Sequence, residues 1–243
     1  MLSYTLTDVE QIIKQTTGRL DRRLFVLAGP SGVGKNTIIK ELLANHAEVD
    51  RVRTYTTRKP REGEEQEGQY HFVSHDEFRN LALAGKLMEA DAAVAGHDVY
   101  GLGELYSMPA DIYQDIPPEK HVVIAEVDVY GARRLKERYP ECVTIFLTAP
   151  PLELIERIRK RRDNSMDARS LAQRMQTARE QIQVAGEFDY VVYNRTAQFC
   201  RTLEAVWSII LAERMRVPRD FDLEAILPEG TFDTAPEQPP LEG

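Results

Sequence analysis

The segment GPSGVGKNT at residues 29–37 carries the clearest chemistry in this chain of 243 residues. It follows a short apolar run and precedes apolar residues at helical spacing, as a phosphate-binding loop does between a strand and a helix. Its glycines let backbone N–H groups converge on phosphate oxygens, and the helix N-terminus adds partial positive charge. This segment, the phosphate loop, predicts a nucleoside triphosphate site formed by Gly29, Pro30, Ser31, Gly32, Val33, Gly34, Lys35, Asn36 and Thr37.

Asn36 departs from the usual pattern of such a loop. The residue after the lysine is normally a Ser or Thr whose hydroxyl ligates Mg²⁺. An amide oxygen is also a hard neutral ligand, so Asn36 is a candidate Mg²⁺ ligand, directly or through water. Thr37 is a weaker substitute because it points elsewhere on a helix. The substitution therefore bears on metal geometry more than on nucleotide binding.

A second group of phosphate-binding residue types lies in TYTTRKPREGE at residues 54–64. Arg58 and Arg61 stand on either side of Pro60, which stiffens the turn. Two guanidinium groups can clamp one phosphate with paired hydrogen bonds, which lysine does less well. A basic stretch alone is more often a solvated loop, so its interpretation depends on Tyr70 and Glu89, which follow it.

The elements that must position these residues alternate along the chain. Short apolar runs predict buried parallel strands at residues 24–28, 122–127, 143–149 and 190–193. Segments with the 3.6-residue period of helices are residues 37–45, 133–139, 152–162, 171–183 and 203–215. This alternation predicts an α/β fold, a P-loop NTPase-like parallel sheet flanked by helices. Residues 51–103 break the alternation and indicate an inserted substrate-binding subregion.

Composition and charge narrow the class of protein. The sequence is 42% hydrophobic and 29% charged, an ordinary globular composition. It has no run of the ~18 apolar residues that a membrane helix needs and no secretory signal, so we expect a cytoplasmic protein without membrane insertion. Cys142 and Cys200 lie far apart without metal-ligand spacing, and both are expected to be reduced. The formal net charge of −8 argues against general nucleic-acid binding.

Three regions are predicted from these patterns. Residues 1–21 form an N-terminal helical extension, which begins with a capping box near Thr7. Residues 22–217 form the α/β domain. Residues 218–243 are acidic and rich in proline, carry most of the net negative charge, and are expected to be disordered. The oligomeric state stays open between monomer and homodimer.

The order of the motifs resembles the guanylate kinase family. After the phosphate loop come TTRKPREGE, a Tyr before FVSHDEF, and then VYG, AEVDVYGA, FLTAPP and VVYN, over about residues 23–215. The resemblance implies a nucleoside monophosphate kinase of purine metabolism that transfers a phosphoryl group from ATP to GMP, with Mg²⁺ as cofactor. It also implies that residues 53–103 bind the nucleoside monophosphate and that residues 157–174 form an arginine-rich lid.

The resemblance assigns roles to matching positions. The residues expected to bind GMP are Thr54, Arg58, Arg61, Tyr70, Glu89, Tyr100 and Asp128. Within this set Glu89 matches the carboxylate that reads guanine, and Asp128 matches an acid at a strand end, where Glu126 precedes it. The residues expected to contact ATP, beyond the phosphate loop, are Arg157 and Asn194. The expected catalytic residues are Lys35, Arg161, Arg174 and Asp128.

Departures from the family pattern keep other interpretations open. Leu102 and Gly103 stand where the family usually has a hydroxyl residue that helps to read guanine, and Leu cannot hydrogen-bond the base, so one specificity contact is lost. GMP is the expected acceptor, and dGMP is a further candidate. The Tyr-Gly-Leu-Gly run at residues 100–103 also suits a related small-molecule kinase, such as a ribose bisphosphate phosphokinase. A non-catalytic guanylate-kinase-like module that binds proteins is the other alternative. Such modules lose the phosphate loop, whereas this chain keeps its glycines and Lys35.

Overall fold

A parallel sheet forms the centre of the protein. The structure is a computed structural model that describes residues 22–60, 64, 68–88, 103–160 and 168–216. Within them, five strands lie side by side in the order β2-β6-β1-β7-β8, and every neighbouring pair is parallel. The strands are β1 (Arg23–Ala28), β2 (Val49–Arg51), β6 (Val122–Glu126), β7 (Val143–Thr148) and β8 (Tyr190–Tyr193).

Helices cover both faces of this sheet. They are α1 (Lys35–Asn45), α2 (His75–Leu83), α3 (Val129–Arg138), α4 (Pro151–Lys160), α5 (Ala168–Gln183) and α6 (Phe199–Arg214). Alternate residues of β1 point to opposite faces, as a strand requires. Phe25 and Leu27 join one buried cluster with residues of α1, α4 and α6, while Leu24 and Val26 join another with residues of α3. The predicted parallel sheet flanked by helices is confirmed.

The sequence interpretation missed β2 and placed some helix ends differently. Strand β2 has only three residues, two of them charged, so it shows no apolar run. Helix α3 begins at Val129 rather than at residue 133, because the Asp128 side chain accepts a hydrogen bond from the backbone N–H of Gly131 and caps the helix. Among the described residues, no helix combines the length and apolarity needed to cross a membrane.

A second, smaller sheet lies in the region predicted to be an insertion. Its three strands have the order β4-β3-β5, with β3 (Thr54–Thr56) parallel to β4 (Tyr70–Phe72) and antiparallel to β5 (Tyr106–Ser107). The third strand lies beyond residue 103, where the predicted subregion ends. Helix α2 follows β4 and begins with a capping box between Ser74 and Glu77.

The turn from β1 into α1 requires glycine at its first residue. Gly29 has φ 141°, and a Cβ at this position would lie 2.1 Å from the backbone oxygen of Leu147 on β7. No side chain fits there without movement of one backbone relative to the other.

At the opposite end of α1, His46 stacks on Trp207 of α6 with ring centroids 3.5 Å apart. The phosphate loop and the packing of α6 thus occupy the two ends of one helix.

Replacement of Gly29 by alanine tests this close approach. We expect Gly29→Ala to lower the free energy of unfolding by about 2–4 kcal/mol, because backbone strain and overpacking each cost about 1–3 kcal/mol. The matched control is Gly186→Ala, since a Cβ at Gly186 meets nothing within 4 Å. Urea denaturation of the three proteins measures the difference. Equal stability of both variants would contradict the packing described for Gly29.

The two cysteines should differ in reactivity. Cys142 is buried, and burial raises its pKa to about 11, whereas Cys200 is exposed. Because the thiolate is the reactive form, native protein treated with iodoacetamide at pH 8 should be alkylated at Cys200 and spared at Cys142. Mass spectrometry of tryptic peptides measures both sites, and urea-denatured protein is the control in which both react. Equal alkylation of the native thiols would be inconsistent with this burial.

Candidate active site

One cleft brings the two predicted phosphate sites together. It has a volume of about 1160 Å³ and lies where β1 and β6 end, between the main sheet and the smaller one. The predicted residues that line it are Gly29, Ser31, Gly32, Gly34, Lys35, Asn36, Thr37, Thr54, Arg58, Tyr70, Asp128, Arg157 and Arg174. The predicted residues that lie outside the described part of the chain are Arg61, Glu89, Tyr100 and Arg161.

Lys35 lies at the first position of α1, with its ammonium group folded over the phosphate loop. The Nζ atom donates to the carbonyl oxygen of Gly29 at 2.6 Å and to that of Pro30 at 3.3 Å. Its positive charge is therefore held beside two further sources of positive potential, the backbone N–H groups of the loop and the N-terminus of α1. This geometry suits the binding of an anion.

Two residues hold the loop from the other side: Asn194, which directly follows β8, and Arg157 of α4. The buried Asn194 donates through Nδ2 to the carbonyl oxygen of Val33 at 2.7 Å. Arg157 donates to the carbonyl oxygen of Asn194 at 2.8 Å and to the hydroxyl of Thr196 at 2.9 Å. Arg157 thus combines a cleft-lining position with contacts that stabilise the loop. The adenine contact suggested for Asn194 stays a prediction.

Arg174 reaches the cleft from α5. It is buried, with 6% of its surface exposed, and Nη1 lies 3.4 Å from the hydroxyl of Ser31 in the phosphate loop. A buried guanidinium beside a phosphate loop adds a full positive charge in a place shielded from water, where its interaction with an anion is strong. The position suits the catalytic role predicted for Arg174, which stays a prediction.

Arg58 supplies the positive charge at the acceptor end of the cleft. Its Nη1 donates to the Glu64 carboxylate at 2.9 Å, and its guanidinium lies over the rings of Tyr70 and Phe72. Burial acts to lower the pKa of Arg58, but the hydrogen bond and charge of Glu64, with Tyr106 and Tyr70 nearby, outweigh it and raise the pKa. The side chain is a permanently charged, oriented group.

Tyr70 and Thr54 form the wall next to Arg58. Burial raises the pKa of Tyr70, and the neighbouring Glu126 carboxylate raises it further. The phenol therefore stays protonated at neutral pH and can donate a hydrogen bond. The Thr54 hydroxyl is directed to the sulfur of Met108 at 3.4 Å.

Two buried residues that support the cleft wall from behind, Arg51 and Gln69, were not among those predicted from the sequence. Arg51, the last residue of β2, donates to the Asn36 amide oxygen at 3.0 Å and to the Glu126 carboxylate at 3.1 Å. Gln69 donates to the same Glu126 oxygen at 3.0 Å. In the sequence, Arg51 is only an arginine next to an apolar residue. Nothing in that pattern distinguishes it from a surface arginine.

Comparison with known proteins gives a consistent assignment. The family model described as guanylate kinase matches residues 21–213. A guanylate kinase of Synechococcus sp. (strain JA-3-3Ab) is 37% identical over 76% of this chain and 81% of that protein. A guanylate kinase of Caldanaerobacter subterraneus subsp. tengcongensis is 35% identical over 82% of this chain and 92% of that protein.

A solved structure agrees with the sequence matches. The crystal structure of guanylate kinase from Anaplasma phagocytophilum superposes with a TM-score of 0.61 and 25% identity, over 80% of this chain and 87% of that chain. The resemblance inferred from the motifs is confirmed. With its phosphate loop, its second sheet and these relatives, the chain belongs to the guanylate kinase family.

Proposed function

We propose that this chain transfers a phosphoryl group from ATP to GMP and acts in purine nucleotide metabolism. The observation that carries the proposal is the single cleft lined by the phosphate loop at one end and by Arg58, Tyr70 and Thr54 at the other. Phosphoryl transfer depends mainly on holding donor and acceptor in line and on neutralising charge. A cleft with cationic groups at both ends meets both requirements. The cytoplasm is the compartment we propose for this reaction.

On the donor side, the chain's own groups receive the triphosphate. Lys35 exchanges its contacts with the Gly29 and Pro30 carbonyls for phosphate oxygens, which are stronger acceptors because they are charged. The backbone N–H groups of the loop bind further phosphate oxygens. Arg157 and Arg174, which also line the cleft, neutralise charge that develops on the transferred group. Arg161 completes this lid in the family pattern.

On the acceptor side, Arg58 holds the phosphate that is attacking. An arginine has donors beyond the one given to Glu64, so it can bind the phosphate without leaving its partner. Tyr70 donates its phenol to the same phosphate. By family resemblance Arg61 and Tyr100 share this task, and Glu89 accepts hydrogen bonds from guanine.

Mg²⁺ fits the oxygen donors on the cleft wall. Asn36 and Glu126 line the cleft, and both supply the hard oxygen atoms that Mg²⁺ prefers. Each already accepts from Arg51, but an amide oxygen and a carboxylate can accept more than one bond. These two residues would hold the ion together with the nucleotide. When bound with ATP, the ion would neutralise part of the negative charge on the phosphate groups.

An acceptor profile tests the proposed function. Production of ADP is measured with ATP, Mg²⁺ and each of GMP, dGMP, AMP, CMP, UMP and ribose 1,5-bisphosphate. We expect turnover with GMP to exceed that with AMP, CMP and UMP by at least about 100-fold, as a pocket that hydrogen-bonds the base allows. Turnover with ribose bisphosphate alone would identify the related kinase instead. Absence of turnover with every acceptor would favour the binding module.

Loss of Arg58 should affect the acceptor selectively. We expect Arg58→Ala to raise KM for GMP about 10-fold to 100-fold and to change KM for ATP less than about 3-fold, because charged hydrogen bonds contribute about 1.5–3 kcal/mol. Arg53→Ala is the matched control, since Arg53 is an exposed arginine shortly before Arg58 in the sequence. Steady-state kinetics with each substrate varied in turn measures both constants. Equal effects on the two substrates would show that Arg58 does not bind the acceptor phosphate.

A further inference from the structure

Arg51 is a buried arginine that joins two different parts of the cleft. Only 5% of its surface is exposed. Its Nη1 donates to Asn36 Oδ1 at 3.0 Å, and its Nη2 donates to Glu126 Oε2 at 3.1 Å. The two nitrogens of one planar guanidinium thus fix the distance between the Asn36 amide and the Glu126 carboxylate. Arg51 itself lies behind these two cleft-lining side chains.

The hydrogen bonds continue from Glu126 to the smaller sheet. Gln69 is buried, and its Nε2 donates to Glu126 Oε2 at 3.0 Å. The backbone oxygen of Gln69 accepts from the N–H of Thr54 at 3.3 Å, and Gln69 directly precedes Tyr70 on β4. A chain of side chains therefore runs from Asn36, in the phosphate loop, to the strand pair that carries Thr54 and Tyr70.

The two ends of this series of hydrogen-bonded side chains contact different substrates under the proposed function. Asn36 follows Lys35 at the start of α1, where the ATP phosphates bind, while Thr54 and Tyr70 line the acceptor end. Every member is a side chain with a preferred geometry, and Arg51 and Gln69 are buried. An arrangement of this kind lets a substrate that orders one end favour the productive position of the other end.

We propose that Arg51 is a positioning residue that couples the binding of ATP to the binding of GMP; this inference rests on the proposed function. ATP phosphates that order Asn36 also order the Arg51 guanidinium, and through it Glu126 and Gln69. Thr54 and Tyr70 are then already in position to bind GMP. Because coupling between two binding sites is reciprocal, GMP strengthens the binding of ATP by the same factor.

Lysine cannot replace arginine in this arrangement. An ammonium group keeps the positive charge but is a single point, whereas the guanidinium offers two nitrogens in a fixed plane. Arg51→Lys therefore retains charge near Glu126 and loses the simultaneous contact with Asn36. Arg53→Lys is the matched control, because Arg53 is exposed two residues further along the same segment.

The test measures GMP binding by calorimetry with and without a non-hydrolysable ATP analogue and Mg²⁺. In the unmodified protein the analogue should tighten GMP binding by about 5-fold or more, the lower end of ordinary coupling between sites. This coupling factor, the ratio of the GMP dissociation constants without and with the analogue, should fall below about 2-fold in Arg51→Lys. It should stay unchanged in Arg53→Lys. Loss of the coupling factor is a readout that a general loss of stability does not produce.

A second variant keeps the test decisive if Arg51→Lys does not fold. Gln69→Met removes the side-chain hydrogen bond to Glu126 without burying an unpaired charge, and it should lower the coupling factor in the same way. Coupling that persists in both folded variants, or that is absent from the unmodified protein while both nucleotides bind, overturns the role of Arg51. Failure of the unmodified protein to bind GMP at all overturns the proposed function instead.

Discussion

The backbone of the phosphate loop packs against the ends of two neighbouring strands, and the rest of the site depends on this contact. Gly29 passes so close to Leu147 on β7 that no side chain fits between them. Asn194, directly after β8, holds the carbonyl oxygen of Val33. Because the loop is held at both points, the start of α1 and the ammonium group of Lys35 have defined positions relative to the sheet.

Three cationic groups of the cleft are already oriented by oxygen atoms of the protein. Lys35 donates to loop carbonyls, Arg58 to Glu64 and Arg157 to Asn194 and Thr196. A charged phosphate oxygen is a stronger acceptor than a backbone carbonyl. At these three described residues, binding of substrate therefore exchanges or extends existing hydrogen bonds. Such preorganisation is a main source of transition-state stabilisation in phosphoryl transfer.

The sequence was most informative where a local pattern determines the structure. The strands of the main sheet other than β2 appear as apolar runs, and the phosphate loop is recognisable because its glycines, lysine and flanking elements are consecutive. The order of motifs along the chain then identified the family, which the comparisons confirm. In each case the signal lies within a few residues or in the order of segments.

Arg51 shows why the remainder of the site could not be predicted. Its partners Asn36 and Glu126 are 15 and 75 residues away in the sequence. All three come together because β6 pairs with β2 on one side and, on the other, with β1, which leads into the phosphate loop. A three-residue strand is too short for an alternating pattern to be visible. Asn36 illustrates the same limit, since the sequence suggested a metal ligand and could not show that its oxygen also receives a hydrogen bond from Arg51.

The stacking of His46 on Trp207 has a practical consequence. Trp207 is the only tryptophan in the chain, so the intrinsic fluorescence of the protein at long excitation wavelengths originates there. His46 caps the end of α1 that lies opposite the phosphate loop. A rigid displacement of α1 at its loop end would alter the ring contact at its other end. The indole emission can therefore report on α1 without an added label.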